Sequence, residues 1–189
     1  MTKWSIMICT LIERSRVYNA LVQKLKQQIL NLNLASEIEL VRFCDNRERT
    51  TGAKRNNLIE KAQGEYISFV DDDDDVADDY IHLLYQGILQ GKDCMSLTGV
   101  LTTNGANPQR FVHSLEFKEY AKRNGVYYRP PNHLNVIKRE LVKNFKFPEK
   151  SFSEDYDWSM AICKAGVLKT EVEIAKPLYY YRAVSKKCN

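Results

Sequence analysis

Five consecutive aspartates occupy positions 71–75, directly after the apolar segment YISFV at positions 66–70. Like charges a few ångströms apart repel and raise one another's pKa, so a fold that keeps this run must compensate it or leave it hydrated. A hard divalent cation compensates it well, because Mg²⁺ and Mn²⁺ prefer oxygen ligands and bind a diphosphate at the same time. We expect Asp71 and Asp73 to serve a metal or a nucleotide. The acidic residues that follow, through Asp79, are more typical of a hydrated helix start.

The first half of the chain alternates between strand-like and helix-like segments. Short apolar runs rich in strand-forming residues are separated by segments in which apolar residues recur at helical spacing. The predicted strands cover residues 4–9, 38–44 and 66–70, and the predicted helices cover residues 17–30, 52–62 and 79–90. This alternation predicts an α/β fold with a Rossmann-like, mostly parallel central sheet and helices on both faces.

The second half is less regular. We predict strands at residues 94–101 and 174–182, a turn-rich loop at 102–108, and helices at 138–144 and 155–165. No repeat, low-complexity linker or shift in composition divides the 189 residues. A single domain over residues 1–189 is therefore expected.

Composition narrows the class of protein. The chain is 44% apolar and 28% charged, which is ordinary for a globular domain. No apolar stretch approaches the roughly 20 residues that span a bilayer, and the N-terminus lacks the regions of a signal peptide. We therefore expect no stable membrane insertion and a cytoplasmic location. The net charge of +4 comes from scattered basic residues, with short clusters at 47–49 and 186–187, which favours a mixed hydrated surface over a nucleic-acid-binding stripe.

The five cysteines predict neither a disulfide framework nor a zinc site. Their number is odd, and no two of them form a CxxC pair. Cys9 and Cys44 fall inside predicted strands, where a free cysteine behaves as a small buried hydrophobic residue.

The ends of the predicted strands carry the polar side chains most suited to a site. Thr10 follows the first strand, Asp45 follows the second, and the aspartate run follows the third. Open parallel sheets bind ligands at the carboxyl ends of their strands, so these residues are expected to lie at one edge.

Residues 52–74, which read GAKRNNLIEKAQGEYISFVDDDD, resemble a motif of family 2 glycosyltransferases. In that family the stretch is similar to G-x-x-x-A/K-R-N-x-x-L-x-x-A-x-G-E-Y-I-x-F-x-D-x-D-D. The match is long and in register, whereas an isolated DxD would say little. The resemblance implies a GT-A fold, a nucleotide-sugar donor that is most often a UDP-sugar, and Mn²⁺ or Mg²⁺ as cofactor.

The resemblance also implies roles for single residues. Residues 1–92 would bind the nucleotide-sugar, and residues 93–189 would bind the acceptor and supply the base. Asp71 would contact the ribose and Asp73 the metal, with Asp74 in support. Asp72 belongs to the donor-binding set as a neighbour, although it and Asp75 are expected to contribute least. The other donor-binding candidates are Thr10, Asp45, Arg55, Asn56, Glu13 and Arg182, of which Thr10 and Asp45 match the positions that hold the base.

Residues 152–158, FSEDYDW, resemble the E-D-x-D-W segment of the same family. The resemblance makes Asp155 the general base and gives Glu154 an orienting role, while the simpler interpretation is a pair of carboxylates at a helix start. His133 lies in a stretch similar to one in short bacterial and phage members, where a third metal ligand, a phosphate contact, an acceptor contact and a structural role all stay open. Trp158 is equally suited to stacking on a sugar and to the core.

The leading hypothesis is therefore inverting transfer of a sugar from a nucleotide-sugar to the hydroxyl of a saccharide or glycoconjugate. A hydroxymethylated base in phage DNA is an alternative acceptor, and would place the protein in the host cytoplasm. A non-catalytic nucleotide-binding module is a further alternative. A nucleotidyltransferase is disfavoured because no Gly-rich phosphate loop lies near the first strand. The sequence does not indicate which oligomeric state the protein adopts.

Overall fold

A computed structural model describes residues 1–184 of the chain. In chain order the strands are β1 (Trp4–Leu11), β2 (Ile38–Asp45), β3 (Tyr66–Phe69), β4 (Asp75–Val76), β5 (Cys94–Met95), β6 (Leu97–Thr103), β7 (Ala106–His113), β8 (Ala121–Arg123), β9 (Val126–Arg129), β10 (Ile137–Lys138), β11 (Glu171–Val172) and β12 (Pro177–Ala183). The α-helices are α1 (Ser15–Asn31), α2 (Thr51–Lys61), α3 (Tyr80–Ile88), α4 (Arg139–Val142) and α5 (Glu154–Ala165), and a short 3₁₀ helix (Ile12–Arg14) joins β1 to α1.

The central sheet has the strand order β11-β5-β10-β3-β1-β2. Strand β1 pairs in parallel with both β2 and β3, whereas β10 is antiparallel to β3 and to β5, and β11 is parallel to β5. Only β10 therefore opposes the common direction in this sheet. The predicted α/β fold with a mostly parallel central sheet is confirmed.

Helices cover both faces of this sheet. Alternate residues of β1 point to opposite sides, as the pleat of a strand requires. Ile6 and Ile8 join a buried cluster with apolar residues of α1 and α3. Met7 joins a second cluster with Leu58 of α2 and Ile162 of α5. The predicted two-faced arrangement is therefore correct.

A second six-stranded sheet, in the order β4-β12-β6-β7-β9-β8, was not predicted. The single strand expected at residues 94–101 is divided between the two sheets as β5 and β6. The loop expected at 102–108 is instead a tight hairpin. Its turn residues Asn104 and Gly105 have φ values of 51° and 74°. Asn-Gly is the pair that favours such turns, because both positions need positive φ.

The cysteines, the end of α5 and the start of the last strand can also be compared with what the sequence led us to expect. The four cysteines among residues 1–184 are all free, and Cys188 and residues 186–187 lie outside the described residues. Helix α5 ends at Gly166 with a φ of 60°, as its sequence predicted. The last strand begins at Pro177 rather than at residue 174. Within residues 1–184, no helix combines the length and the apolar character needed to cross a membrane.

Candidate active site

The carboxyl ends of β1, β2 and β3 meet at one edge of the central sheet, as the sequence predicted. Leu11 at the end of β1 is paired with Asp45 at the end of β2. A cleft of about 350 Å³ opens at this edge, and we call it the donor cleft after the donor that the sequence leads us to expect there. Its lining consists of Cys9, Thr10, Leu11, Arg14, Arg47, Arg49, Thr51, Lys54, Arg55, Asp71, Asp72, Asp73, Ser151 and Glu154.

The aspartate run alternates between buried and accessible side chains. Asp72 and Asp74 are only 3% and 6% exposed, whereas Asp71, Asp73 and Asp75 are partly exposed. The buried Asp72 accepts hydrogen bonds from Thr10 Oγ1 at 2.7 Å and from Arg14 Nη1 at 2.6 Å. Asp72 was expected to contribute least, yet it fixes the loop that follows β1.

Asp74 ties the run to the second sheet. Its carboxylate accepts from the Tyr179 hydroxyl at 2.8 Å and from the backbone N–H of Arg182 at 2.7 Å. Burial and the nearby charge of Asp71 raise the pKa of Asp74 to about 8. The guanidinium of Arg182 donates to Asp75 at 2.6 Å and does not line the donor cleft. The contacts of Asp74 and Arg182 are therefore structural in this conformation.

Asp73 is paired with Arg14, whose Nη2 donates to Asp73 Oδ2 at 2.8 Å. Arg14 lies in the 3₁₀ helix and lines the cleft. Within residues 1–184, no three His, Cys, Asp or Glu side chains are grouped so that they could hold a metal ion. Asp73 is nevertheless 42% exposed and faces the cleft. One carboxylate suffices for Mg²⁺ or Mn²⁺ when substrate phosphates and water complete the shell. The residues present therefore fit a metal that is held jointly with a diphosphate.

Arg55 is the buried centre of the site. Its Nη1 donates to Glu154 at 2.8 Å, and its Nη2 donates to Asp71 at 2.9 Å. The guanidinium lies over the rings of Phe69 and Phe147. Burial alone would raise the pKa of Asp71, but neighbouring groups, of which Arg55 is the strongest, hold that pKa well below the usual range. Asp71 is therefore ionised and aligned at the cleft.

Asp45 is held by a partner that the sequence did not reveal. Lys54 Nζ lies 2.6 Å from Asp45 Oδ1, and both side chains are nearly buried. The backbone N–H groups of Arg47 and Arg49 also donate to this carboxylate. Burial opposes ionisation of Asp45, but these donors lower its pKa.

Two other candidates from the sequence, Asn56 and Glu13, do not line the donor cleft. Both polar ends of the Asn56 amide bind the backbone of Phe147, at 2.9 and 2.8 Å, so Asn56 joins α2 to that segment. Glu13 forms an exposed ion pair with Arg47 and does not line the cleft. The cationic residues Arg14, Arg47, Arg49 and Lys54 do line it. Arg14, Arg47 and Arg49 lie a few residues after predicted strands, and only this position indicates from the sequence that they could line a site.

A second cleft of about 480 Å³ adjoins the first and shares Arg55, Asp71, Ser151 and Glu154 with it. We call it the acceptor cleft after the acceptor that the second half of the chain is expected to bind. Asp155 lines this cleft from the first turn of α5, with 30% of its side chain exposed. Glu154 instead points to Arg55 and is buried. The remaining lining is largely aromatic and polar: Leu101, Phe111, His113, Tyr120, Arg129, Asn132, His133, Leu134, Phe152, Ser153, Tyr156 and Tyr181.

The sequence left the roles of His133 and Trp158 open, and the structure shows what surrounds each of them. His133 contacts Arg55, Asp71 and Asp155, whereas Asp73 contacts Arg14, so the two expected metal ligands have different partners. Trp158 is buried and stacks on Phe147 with ring centroids 4.7 Å apart. It belongs to the core, and a role in stacking on a sugar is ruled out by its burial.

The sequence profile described as glycosyl transferase family 2 matches residues 5–161, more than four fifths of the chain. The chain belongs to glycosyl transferase family 2. No curated protein sequence matches it. The resemblance of residues 52–74 and 152–158 to this family is thereby confirmed.

Solved structures of S. aureus TarS share the fold. A structure of TarS residues 1–349 has a TM-score of 0.66 and 18% identity, covering 96% of this chain and 60% of that one. The same TarS fragment in complex with UDP has a TM-score of 0.66 and 18% identity, covering 96% of this chain and 61% of that one. In complex with UDP-GlcNAc the TM-score is 0.66 and the identity 17%, covering 100% of this chain and 60% of that one. The family 2 member described here therefore has the GT-A fold and spans about three fifths of the length of these structures.

Proposed function

We propose that this family 2 protein is an inverting, metal-dependent glycosyltransferase with a nucleotide-sugar donor, most suitably a UDP-sugar. The observation that carries the proposal is the meeting of two clefts at Arg55, Asp71 and Glu154. One cleft is rich in cations and follows the strand ends, and the other contains the accessible carboxylate of Asp155. TarS, which shares the fold, is known in complex with UDP and UDP-GlcNAc.

The donor cleft suits a nucleoside diphosphate. Asp71 would accept hydrogen bonds from the ribose hydroxyls, and Asp45 with Thr10 would lie towards the base. Arg14, Arg47 and Arg49 line the cleft and can donate to phosphate oxygens. A bound Mn²⁺ or Mg²⁺ would neutralise the departing diphosphate, with Asp73 as its protein ligand.

Asp155 would act as the general base. It would take the proton from the acceptor hydroxyl while that oxygen forms a bond to the anomeric carbon. On the opposite face, the bond from that carbon to the diphosphate oxygen would break, so the configuration inverts. Glu154 would act indirectly, because its buried carboxylate is bound to Arg55, although the residue forms part of the lining of both clefts.

The lining of the acceptor cleft favours a saccharide or glycoconjugate as acceptor. The side chains of Tyr120, Tyr156 and Tyr181 offer flat faces of the kind on which sugar rings stack. The net charge of +4 comes from scattered basic residues, which gives duplex DNA less support as the acceptor. Transfer to DNA is therefore kept as an outcome of the acceptor test.

A thermal-shift screen of nucleotide-sugars, each with and without Mn²⁺, tests the donor assignment. Ligand at 100 times its Kd stabilises a protein by about 2.7 kcal/mol, which a melting curve detects readily. We expect stabilisation by UDP-sugars that grows with Mn²⁺. The variant Asp73→Asn should fold normally and lose the Mn²⁺ increment. If no nucleotide or nucleotide-sugar shifts the melting temperature with metal present, the proposed donor chemistry is wrong.

A further inference from the structure

His133 lies between the centre of the site and the carboxylate of Asp155. Its ring is 4% exposed and reaches from α2 to the start of α5. The Nε2 atom is 3.0 Å from Arg55 Nη2 and 3.4 Å from Asp71 Oδ2. On the other side of the ring, Nδ1 is 3.9 Å from Asp155 Oδ2, and this buried nitrogen has no hydrogen-bond partner among the described residues.

The contact with Arg55 decides which ring nitrogen carries the proton. A guanidinium is a donor only, so the nitrogen that faces it at 3.0 Å must present a lone pair. Arg55 Nη2 has two hydrogens, and the second one serves Asp71 at 2.9 Å.

The competing arrangement is an imidazolium that donates from Nε2 to Asp71. It would place an N–H of the ring head-on against an N–H of Arg55 at the shorter of the two distances. Two cationic donors in a buried site repel strongly, so the neutral ring with a bare Nε2 is favoured.

A neutral ring with a bare Nε2 carries its proton on Nδ1. Within residues 1–184, Asp155 is the one carboxylate that lies within 4 Å of this nitrogen. A separation of 3.9 Å is too long for a hydrogen bond, so the donor is unsatisfied in this structure. Contacts of this kind often tighten when substrate binds.

We propose that His133 is a positioning residue, which holds one oxygen of Asp155 through Nδ1–H so that the other oxygen faces the acceptor hydroxyl. The inference rests on the proposed role of Asp155 as base, and it replaces the role of metal ligand for His133. Arg55 fixes the ring from the donor side, and thereby connects the alignment of Asp71 with that of the base.

Two matched substitutions separate the two sides of the ring. In His133→Gln, the amide oxygen can replace Nε2 as acceptor for Arg55, but the N–H towards Asp155 is lost. In His133→Asn, the shorter amide can place an N–H near the position of Nδ1. With the donor found by thermal shift, we expect kcat for transfer or donor hydrolysis to fall about 10- to 100-fold in the Gln variant, with an unchanged KM for the donor. We expect the Asn variant to recover most of kcat.

Mn²⁺ titration in the presence of UDP tests the alternative role. Both variants should bind the metal as the wild type does. If both lose the metal and kcat equally, His133 is a ligand and the inference is wrong. Equal kcat in the Gln variant and the wild type would also overturn it.

¹⁵N NMR of the imidazole rings gives a readout that needs no activity. His82, which is exposed on α3, provides a solvent reference. We expect a non-protonated Nε2 in His133, and an Nδ1–H signal that shifts in Asp155→Asn. A protonated Nε2, or an Nδ1–H that ignores Asp155→Asn, would refute the inference. If the wild type transfers no sugar at all, the proposed function fails, and this spectrum alone decides the position of the proton.

Discussion

Gly52 sits in the first turn of α2, where a side chain has no room. A Cβ built on Gly52 would lie 1.9 Å from the carbonyl oxygen of Pro148, and the Gly52 N–H already donates to Lys150 at 3.1 Å. This contact joins the helix that carries Arg55 to the segment that leads into Asp155. The substitution Gly52→Ala therefore perturbs the relative placement of donor cleft and base.

The size of the effect follows from the geometry. Even the tightest Cβ contacts seen in proteins are about 3.0 Å, so the backbone at Pro148 must retreat by at least 1.1 Å from its 1.9 Å contact. Overpacking of this kind costs about 1–3 kcal/mol. For a domain of this size that corresponds to a drop in Tm of roughly 2–12 °C. A displacement near 1 Å at the base can cost about 100-fold in kcat.

The assay combines a melting curve with donor titration and single-turnover transfer. We expect Gly52→Ala to lose both stability and kcat while donor affinity changes little, because Lys54 and Arg55 remain on α2. Gly91→Ala is the matched control, since its φ of 68° strains an alanine but no atom lies within 4 Å of the added Cβ. That control should cost about 1–2 kcal/mol and leave kcat unchanged. A Gly52→Ala protein with the melting temperature and kcat of the wild type would refute the reasoning.

Three further outcomes are expected. Arg14→Gln should raise the affinity of the nucleotide-free protein for Mn²⁺, because Asp73 loses its partner. The gain should be roughly two- to fivefold, which is the contribution of one exposed ion pair. A calorimetric titration that shows no gain would contradict this. Cys9 lines the donor cleft, but burial raises the pKa of its thiol to about 12. Mass spectrometry after alkylation at pH 8 should therefore find it unmodified, while the partly exposed Cys163 is labelled. Trp158→Ala should cost about 3–5 kcal/mol by chemical denaturation, since the ring is buried, and a loss under 1 kcal/mol would show that it is not part of the core.

The sequence predicted the central sheet well because its long elements carry strong periodicity. Strands β1 and β2 and helices α1, α2 and α5 fall within a few residues of their predicted bounds. The second sheet was missed because its organisation depends on pairing between distant segments. Strand β12, for example, pairs with β6 and with the two-residue β4, and no local pattern records such partners.

The sequence predicted which residues lie at the site, but not which contacts each of them makes there. Five identical aspartates carry no sign of which ones are buried, and only the fold distinguishes Asp72 and Asp74 from Asp71 and Asp73. The motif placed Asn56 beside Arg55, yet the two side chains on α2 serve different ends, because Asn56 binds the Phe147 backbone. Such differences arise from tertiary contacts that a motif does not encode.

Release of UDP from a UDP-sugar is the most direct measurement of the central claim. Wild type and Asp155→Asn would be incubated with the stabilising donor, Mn²⁺ and a panel of saccharide acceptors, with a hydroxymethylated DNA duplex as the alternative acceptor. The carboxylate of Asp155 forms no side-chain hydrogen bond among residues 1–184 and lies 3.9 Å from His133 Nδ1, so the variant should keep the fold. We expect steady UDP release by the wild type and a fall of about 10²- to 10⁴-fold in the variant, as for loss of a general base. Equal rates in the two proteins, or no UDP release from any donor and acceptor, would contradict the assignment.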